Sequence, residues 1–510
     1  MKKLATLSTL LMVVILSSSV YAAGVALTGI GARATVLGGN FRGIADDWSA
    51  MYWNPAGLTQ SKGFSFGTSF ELIMPTASFK PANWKWLSYP NPYGIIKDTV
   101  SVTDHFSGMN YGYTNNEPKT FYIPAFGFSY GMDKLSLGFA FFAPFGLGAS
   151  WDLMDTELYN SKYPTIDYED DLKILDFHPT IAYKINDNLS FGVGLSIVYA
   201  DIIIRTPKYI PNPYMSADLA AAKSAIENLG GLKPIYNHLL IDSELQGTGF
   251  GWGGNIGLMY KLSEDLQIGL SARYYYDVPI DGKINASAYF ADLKAADDFI
   301  KKNALLMAQF NSKLAKGEIT QQEYDVVTNF YSGLVSRVYT DVSGDTKLPL
   351  PFEVGFGFCY TGFKDLKISA DLAWTQWSAW DVITIALDNA ATDTSNLVEE
   401  WKDGIRVGLG MEYSWQSLKL RGGYYYEGCV VPDETLSPTI PDINSRSAIS
   451  FGIGYDLGPL TIGISYEKIL IGDKNVADYV FNSLENSYDN LAGKYGMKVD
   501  NIMLGLGYAF

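Results

Sequence analysis

"LSFGVGLSIVY", residues 189–199, puts Leu189, Phe191, Val193, Leu195, Ile197 and Tyr199 on one side of a chain of period two, and Ser190, Gly192, Gly194, Ser196 and Val198 on the other. That is the period of a β-strand, whose successive side chains point to opposite faces. Here the large apolar residues take one face, and small or polar ones take the other. The pattern recurs at 460–467, where Leu460, Ile462, Ile464 and Tyr466 alternate with Thr461, Gly463, Ser465 and Glu467. It recurs again at 501–510, where Ile502, Leu504, Leu506, Tyr508 and Phe510 share a face.

The connections between such runs alternate in length. "MDK" at 132–134, "NDN" at 186–188, "SED" at 263–265 and "FKD" at 363–365 are tight, while the others run to tens of residues. Tight turns at one end and long loops at the other are expected of an outer-membrane antiparallel β-barrel, with the short turns on the periplasmic side. The runs number about 14, and bacterial barrels favour even numbers. A barrel closes every backbone hydrogen bond without leaving an edge in lipid. A soluble β-sandwich would also alternate, but its apolar face would be buried against a second sheet, and it would not need so many Tyr and Trp near strand ends. No Pro/Gly/Ser-rich linker divides the chain, so an all-β unit of one large barrel is the economical reading.

Lys2 and Lys3 precede an apolar run from Leu4 to Leu16, and Val20-Tyr21-Ala22 fits a secretory cleavage site. Residues 1–22 are therefore expected to be a signal peptide and Ala23 the mature start; the apolar run is shorter than the roughly 20 residues of a spanning helix. Loss of Lys2 and Lys3 with this leader takes the net charge from −16 to −18. Such a balance argues against nucleic acid as a partner. Cys359 and Cys429 fall toward opposite ends of non-adjacent strands and are expected unpaired.

Residues 40–60, "NFRGIADDWSAMYWNPAGLTQ", fit neither period. Together with the residues before them they form "GARATVLGGNFRGIADDWSAMYWNPAGL" at 31–58, which resembles the hatch segment of the FadL/TodX family of outer-membrane transporters for long-chain fatty acids and other hydrophobic compounds. Asn54-Pro55-Ala56 matches that family's NPA motif. "FAPFGL" at 142–147, "GFGWGGNIGLMYKL" at 249–262, "VPDETLSPTIPD" at 431–442 and "GYAF" at 507–510 are similar to further family landmarks. The terminal Phe510 also resembles the C-terminal signal read by the barrel assembly machinery. Nearly the whole mature chain is covered.

The resemblance implies an N-terminal hatch, residues 23–62, plugging the lumen of a barrel formed by 63–510 with helical extracellular loops at about 208–245 and 283–336. A barrel of this size encloses more space than side chains fill, which agrees. Pro55 fixes its own φ and keeps Asn54 out of the α region, making a rigid turn. The motif either gates the hatch or merely holds it together; both readings stay open. Asp46 and Asp47 are expected to be hydrogen-bond acceptors that fix the hatch, since two adjacent acids lack a metal's ligand count. No metal or other cofactor is implied. In the family, cargo is captured at outer loops, passed to an inner site near the N-terminus, here Ala23-Gly24-Val25, and released sideways into the membrane through a kink in the third strand. The third strand here is 135–150. Pro144 lacks a ladder donor, and Phe145 and Gly146 follow it where pairing should weaken.

Helix signals follow Ser216, run along 290–314 through Phe310, and restart at a capping box at Thr320. Departures from the family lie on strands five and nine, where basic residues are expected to meet a carboxylate. Strand five offers Arg205, one residue out of register; strand nine, "WTQWSAWDVITIAL" at 374–387, offers none, with Thr384 at the expected place. Neutral hydrocarbons therefore stand beside fatty acids as cargo. A structural or adhesive surface barrel is the rival reading. His178 with Asp176 on strand four suggests the dyad of a barrel lipase, but no Ser can be placed against it from sequence, so an enzyme is not expected.

Overall fold

The alternation at 189–199 is realised as a lipid-facing strand. Phe191, Val193, Leu195 and Ile197 are exposed, while Ser190, Ser196, Val198 and Ala200 are buried. A water-soluble sheet would hide the larger face at about 25 cal/mol per Å² of apolar surface. Here that face belongs in lipid.

The computed structural model describes residues 24–27, 29–82, 90–91, 94–95, 114–115, 119–153, 166–211, 238–289, 304–321, 324, 336–388, 394–482 and 487–509. Fourteen antiparallel strands close the barrel. They are β1 (Gly63–Pro81), β2 (Phe121–Gly131), β3 (Leu135–Trp151), β4 (Tyr168–Lys184), β5 (Leu189–Pro211) and β6 (His238–Lys261). β7 (Leu266–Tyr275, Val278–Tyr289), β8 (Ser336–Leu348, Glu353–Phe363), β9 (Leu366–Thr375, Val382–Leu387) and β10 (Thr394–Val398, Gly404–Trp415) each run in two pieces. β11 (Leu418–Glu427), β12 (Arg446–Leu457), β13 (Leu460–Ile471) and β14 (Gly493–Ala509) complete the wall. β14 pairs with β1 from Ser65 opposite Ala509 to Pro81 opposite Gly493, so the sheet has no open edge there.

Among the described residues, two departures from a regular cylinder bear on the site. β3 pairs with β2 only from Gly131 opposite Ser136 up to Phe126 opposite Phe141. Beyond that point Phe121–Ala125 of β2 stay paired to β1, and β3 stays paired to β4 with a register shift between Phe142 and Phe145. The β2–β3 ladder is therefore unmade along the upper half of β3. The second departure is the row of breaks in β7 to β10. Pro349 and Pro351 have no N–H to give in β8, and Trp380 of the next strand donates its indole N–H to the Pro349 carbonyl at 2.7 Å. Trp377, Trp380 and Trp401 are all buried in this row, Trp380 stacked on Trp401 at 4.5 Å.

The long loops are shorter than the sequence suggests. β5 and β6 stay paired up to Pro211 opposite His238, inside the span 208–245. β7 likewise runs to Tyr289 and β8 starts at Ser336, inside 283–336. Cross-strand pairing carries these strands past the point where the lipid-facing alternation fades. Helix α1 (Ala32–Val36) and helix α2 (Ala50–Trp53) precede β1, and helix α3 (Ala304–Ala315) lies in the loop after β7 with Phe310 buried. Tyr324 N–H donates to the Thr320 carbonyl at 3.0 Å, at the expected capping box. The stretch after Ser216 and residues 1–23 lie outside the described residues. Cys359 and Cys429 are free thiols.

Candidate functional site

Asn54 closes α2 in an extended conformation and Pro55 opens a 3-10 turn, Pro55–Gln60. The Asn54 amide donates to the Arg42 and Leu258 carbonyls, both at 3.0 Å, and its oxygen accepts the Ala56 N–H at 3.2 Å. One side chain thus caps the turn, ties two parts of the N-terminal segment and reaches β6. The wall makes room by omitting side chains: a Cβ at Gly257 would lie 2.1 Å from Asn54 Oδ1, and one at Gly192 would lie 2.4 Å from the Pro55 carbonyl carbon. The sequence reading gave these glycines no part in seating the segment, although both stand in the small-residue phase of their strands.

Charges fix the rest of segment 24–62 to the wall. Arg33 donates to both Glu412 oxygens, at 2.8 and 2.9 Å, and to Asp46. Lys367 donates to Asp46 at 3.2 Å. Arg42, almost fully buried, meets Glu353 at 2.5 Å and Asp371 at 3.3 Å, and Asp371 also accepts the Phe41 and Arg42 N–H groups. Asp47 instead accepts the Ser49 N–H and hydroxyl at 2.9 and 2.6 Å. Burial raises both acids of the 46–47 pair; Arg33 and Lys367 overcome it at Asp46, whose carboxyl falls below its usual range, while Asp47 stays above.

At the other end of the segment the chain pairs with the irregular part of β3. The Leu27 N–H donates to the Pro144 carbonyl and the Gly146 N–H to the Val25 carbonyl, both at 3.0 Å, with Ala26 bridged to Phe145. Pro144, Phe145 and Gly146 thus meet Leu27, Ala26 and Val25 in turn, and Gly24 lies under the Trp377 ring. Ala23 lies outside the described residues. The Gly24 N–H donates to Asp442 Oδ2 at 3.2 Å, as does Val430 N–H at 2.7 Å. Burial pushes the Asp442 carboxyl up to about 6 despite Arg446 nearby.

Around this junction is a cavity of about 340 Å³. Val25, Phe145 and Ile440 line it on the inside, Phe121 and Tyr122 line it on β2, and Lys173 stands at its outward end. It therefore runs from the N-terminal segment to the unpaired stretch between β2 and β3. Arg446 also lines it, with its Nε on Glu427 at 2.8 Å.

His178 and Asp176 do share the inner face of β4, and β5 supplies a Ser that sequence could not place. Ser196 Oγ lies 3.1 Å from His178 Nδ1 and donates to Asp176 Oδ2 at 2.8 Å. Tyr275 OH also donates to Asp176, at 3.1 Å. The far ring nitrogen of His178 lies 3.1 Å from Asn255 Oδ1, and Asn255 donates to the Met51 carbonyl at 2.8 Å. All three of Asp176, His178 and Ser196 are 0 % exposed, which matters for any chemistry asked of them.

Arg205 stands apart from the cavity. It is paired with Glu244 and donates to the Ile166 carbonyl at 3.2 Å. Thr384 points outward and donates to Asn396 at 2.8 Å, while Ile383 and Ile385 hold the inner face of β9. The expected place for a base on strand nine thus faces outward, and its inward-facing neighbours are apolar.

Comparison with known proteins meets this geometry. The family model "Outer membrane protein transport protein (OMPP1/FadL/TodX)" matches residues 13–510. The long-chain fatty acid transport protein of Salmonella typhi is 24% identical over 483 residues, covering 92% of this chain and 93% of that protein. Outer membrane protein P1 of Haemophilus influenzae is 23% identical over 489 residues, covering 92% and 90%. Among solved structures, a Pseudomonas aeruginosa FadL homologue superposes with a TM-score of 0.68 at 15% identity over 96% of this chain and all of that one. The P. putida toluene transporter TodX gives 0.62 at 15% over 95% and 99%. The closed fourteen-strand wall, the segment packed inside it and a match along almost the entire length agree: the chain belongs to the OMPP1/FadL/TodX family of outer-membrane transport proteins.

Proposed function

We propose that the protein carries hydrophobic molecules, long-chain fatty acids or aromatic hydrocarbons, across the outer membrane and releases them sideways into the membrane. The observation that carries this reading is the apolar cavity that joins Val25 to the unpaired stretch of β2 and β3. Each methylene moved from water into such a space is worth about 0.8 kcal/mol, so the cavity holds what a hydrated pore would reject. Residues 24–62 act as a hatch that closes the direct path, and the N-terminal residues couple cargo to the wall because Val25 and Leu27 are hydrogen-bonded to the β3 irregularity itself. Capture takes place at the extracellular loops.

The cargo's polar end meets few bases. Arg446 is engaged by Glu427, which favours a neutral molecule over a carboxylate. Asp176, His178 and Ser196 act as a buried packing network against the hatch, the Ser196 hydroxyl donating to Asp176 and His178 reaching the Met51 carbonyl through Asn255.

Binding of a long-chain fatty acid and its methyl ester to the detergent-solubilised protein tests the reading, with Arg205→Ala alongside. Binding of either ligand supports transport. Preference for the ester assigns neutral cargo, whereas preference for the acid that Arg205→Ala abolishes makes Arg205 the anchor. Binding of neither ligand overturns the proposal in favour of a structural or adhesive barrel.

A further inference from the structure

A second cavity, of about 40 Å³, shares Ala26, Leu27 and Phe145 with the apolar one. It has room for a few water-sized spheres. Its charged lining is uneven: Arg42, Arg273, Arg406 and Arg446 stand against Glu353 and Glu427.

Three of these guanidinium groups have carboxylate partners. Arg42 is paired with both Glu353 and Asp371. Arg273 shares Glu353 with it, at 3.8 Å. Arg446 takes Glu427 through Nε and Nη2, both at 2.8 Å. Arg406 is the exception. It stands directly opposite Glu427 in the β10–β11 ladder, yet among the described residues no carboxylate lies within ion-pair distance of it. It donates instead to the Gly38 carbonyl at 2.9 Å and lies 3.8 Å from the centre of the Tyr425 ring. Asp442, four residues before Arg446, is taken by the Gly24 and Val430 N–H groups and does not line the cavity. Four guanidinium groups therefore meet three carboxylates, Asp371 included.

The hydrogen bonds are uneven in the same sense. Arg273, 6 % exposed, gives one N–H to the Tyr52 carbonyl and covers the Tyr52 ring at 3.5 Å, but its buried Nε has no partner. Water in the cavity would answer that N–H and leave the surplus charge, and a buried charge without a partner is costly. A single small anion answers both.

We propose that this cavity binds one inorganic monoanion of the chloride class, held by Arg273 and Arg406 with Arg42 beside it. These arginines come from β7, β10 and the N-terminal segment, so the ion ties the segment to the wall where the direct ion pairs leave a positive charge over. It also withholds that charge from a carboxylate on the cargo. The site rests on the lining and the charge count and not on what is carried, so it is tested without cargo.

Crystals of the full-length protein grown in sodium bromide should show an anomalous scatterer in the cavity, and crystals of Arg406→Gln grown the same way should lack it. Glutamine keeps a donor for the Gly38 carbonyl, and Arg406 has no ion pair to break, so the variant keeps its fold. In detergent solution at fixed ionic strength, chloride in place of gluconate, which is too large for the cavity, should slow protease cleavage within residues 40–60. The slowing is about tenfold once chloride stands at about ten times its dissociation constant, and Arg406→Gln should be cleaved at one rate in both salts. An empty cavity in the parent, or bromide that persists undiminished in Arg406→Gln, overturns the site. Bromide in the parent crystal with cleavage that ignores chloride is binding at crystal concentration only and overturns it as well.

Discussion

Asn54 spends its whole side chain on main-chain groups, two as donor and one as acceptor, and one of those groups lies on β6, 204 residues away in sequence. Asn54→Ala leaves the Arg42 and Leu258 carbonyls without that donor, at about 1–3 kcal/mol for a buried group left unsatisfied. The loss falls on the N-terminal segment, because the wall ladder does not involve the side chain. Protease cleavage within residues 40–60 of the intact protein should accelerate while the thermal midpoint of the barrel holds; a falling midpoint with unchanged cleavage would show that the residue serves the wall instead. Asp442 offers a pH test. Its carboxyl is raised by burial to about 6 from an ordinary value near 4. A raised acid contributes stability that is complete below the ordinary value and is lost as pH climbs through the raised one. Asp442→Asn keeps an acceptor for the Gly24 and Val430 N–H groups without the buried charge, so it should stabilise the protein relative to the parent at pH 7 and confer no advantage below about pH 4. Thermal midpoints at both pH values check this, and an advantage independent of pH would remove the charge from the explanation. The Asn-Pro-Ala triplet marked Asn54 in the sequence, but its partners were invisible there because distant strands supply them. Asp442 stood inside a recognised landmark with nothing local to single it out.

The period-two pattern exposed the strands because lipid outside and a filled lumen inside impose opposite demands on alternate residues. The same test failed where strands bend. "WTQWSAWDVITIAL" read as one strand, yet the chain breaks at a 3-10 turn, Trp377–Ala379, since apolar residues on both sides of the turn keep the window's pattern alive. β3 was more legible, because Pro144 announces the loss of a ladder donor. It carries one surplus residue at the register shift, where Ala143 and Pro144 stand against a single residue of β4 between Phe142 opposite Asp176 and Phe145 opposite Ile174. Deleting Pro144 alone removes the surplus residue and restores the regular register with β4, so every later side chain keeps its face. The shortened β3 should continue its ladder with β2 and close the gap. A barrel that folds with unchanged heat-modifiable mobility but no longer supports uptake of a hydrophobic tracer is the expected outcome; undiminished uptake would place the exit elsewhere.

A closed ladder and a separately packed segment make two structures that can fail independently. The wall is held by main-chain pairing all round, including β14 to β1, and would stand with an empty lumen. The segment inside is held to the wall by buried charges: Arg33 with Glu412, and Arg42 with Asp371 and Glu353. Removing one member of such a group strands the others, at about 3–5 kcal/mol for a broken buried pair, far more than an exposed bridge is worth. Arg42 is the better target, because its side chain is 3 % exposed and bridges β8 and β9. Arg42→Met keeps most of the volume, strips Asp371 of its counter-charge and leaves Glu353 only the weaker pairing with Arg273 at 3.8 Å. The segment should then leave its place for part of the time while the barrel persists. In planar bilayers the parent protein should pass little current and the variant should show channel openings, with no fall in the thermal midpoint of the wall. Raising the salt concentration should not reproduce the effect in the parent, because these charges are shielded from solvent ions. If Arg42→Met stays as closed as its parent, side-chain packing around Trp48, Met51 and Leu58 is what holds the segment, and the buried charges only set its orientation.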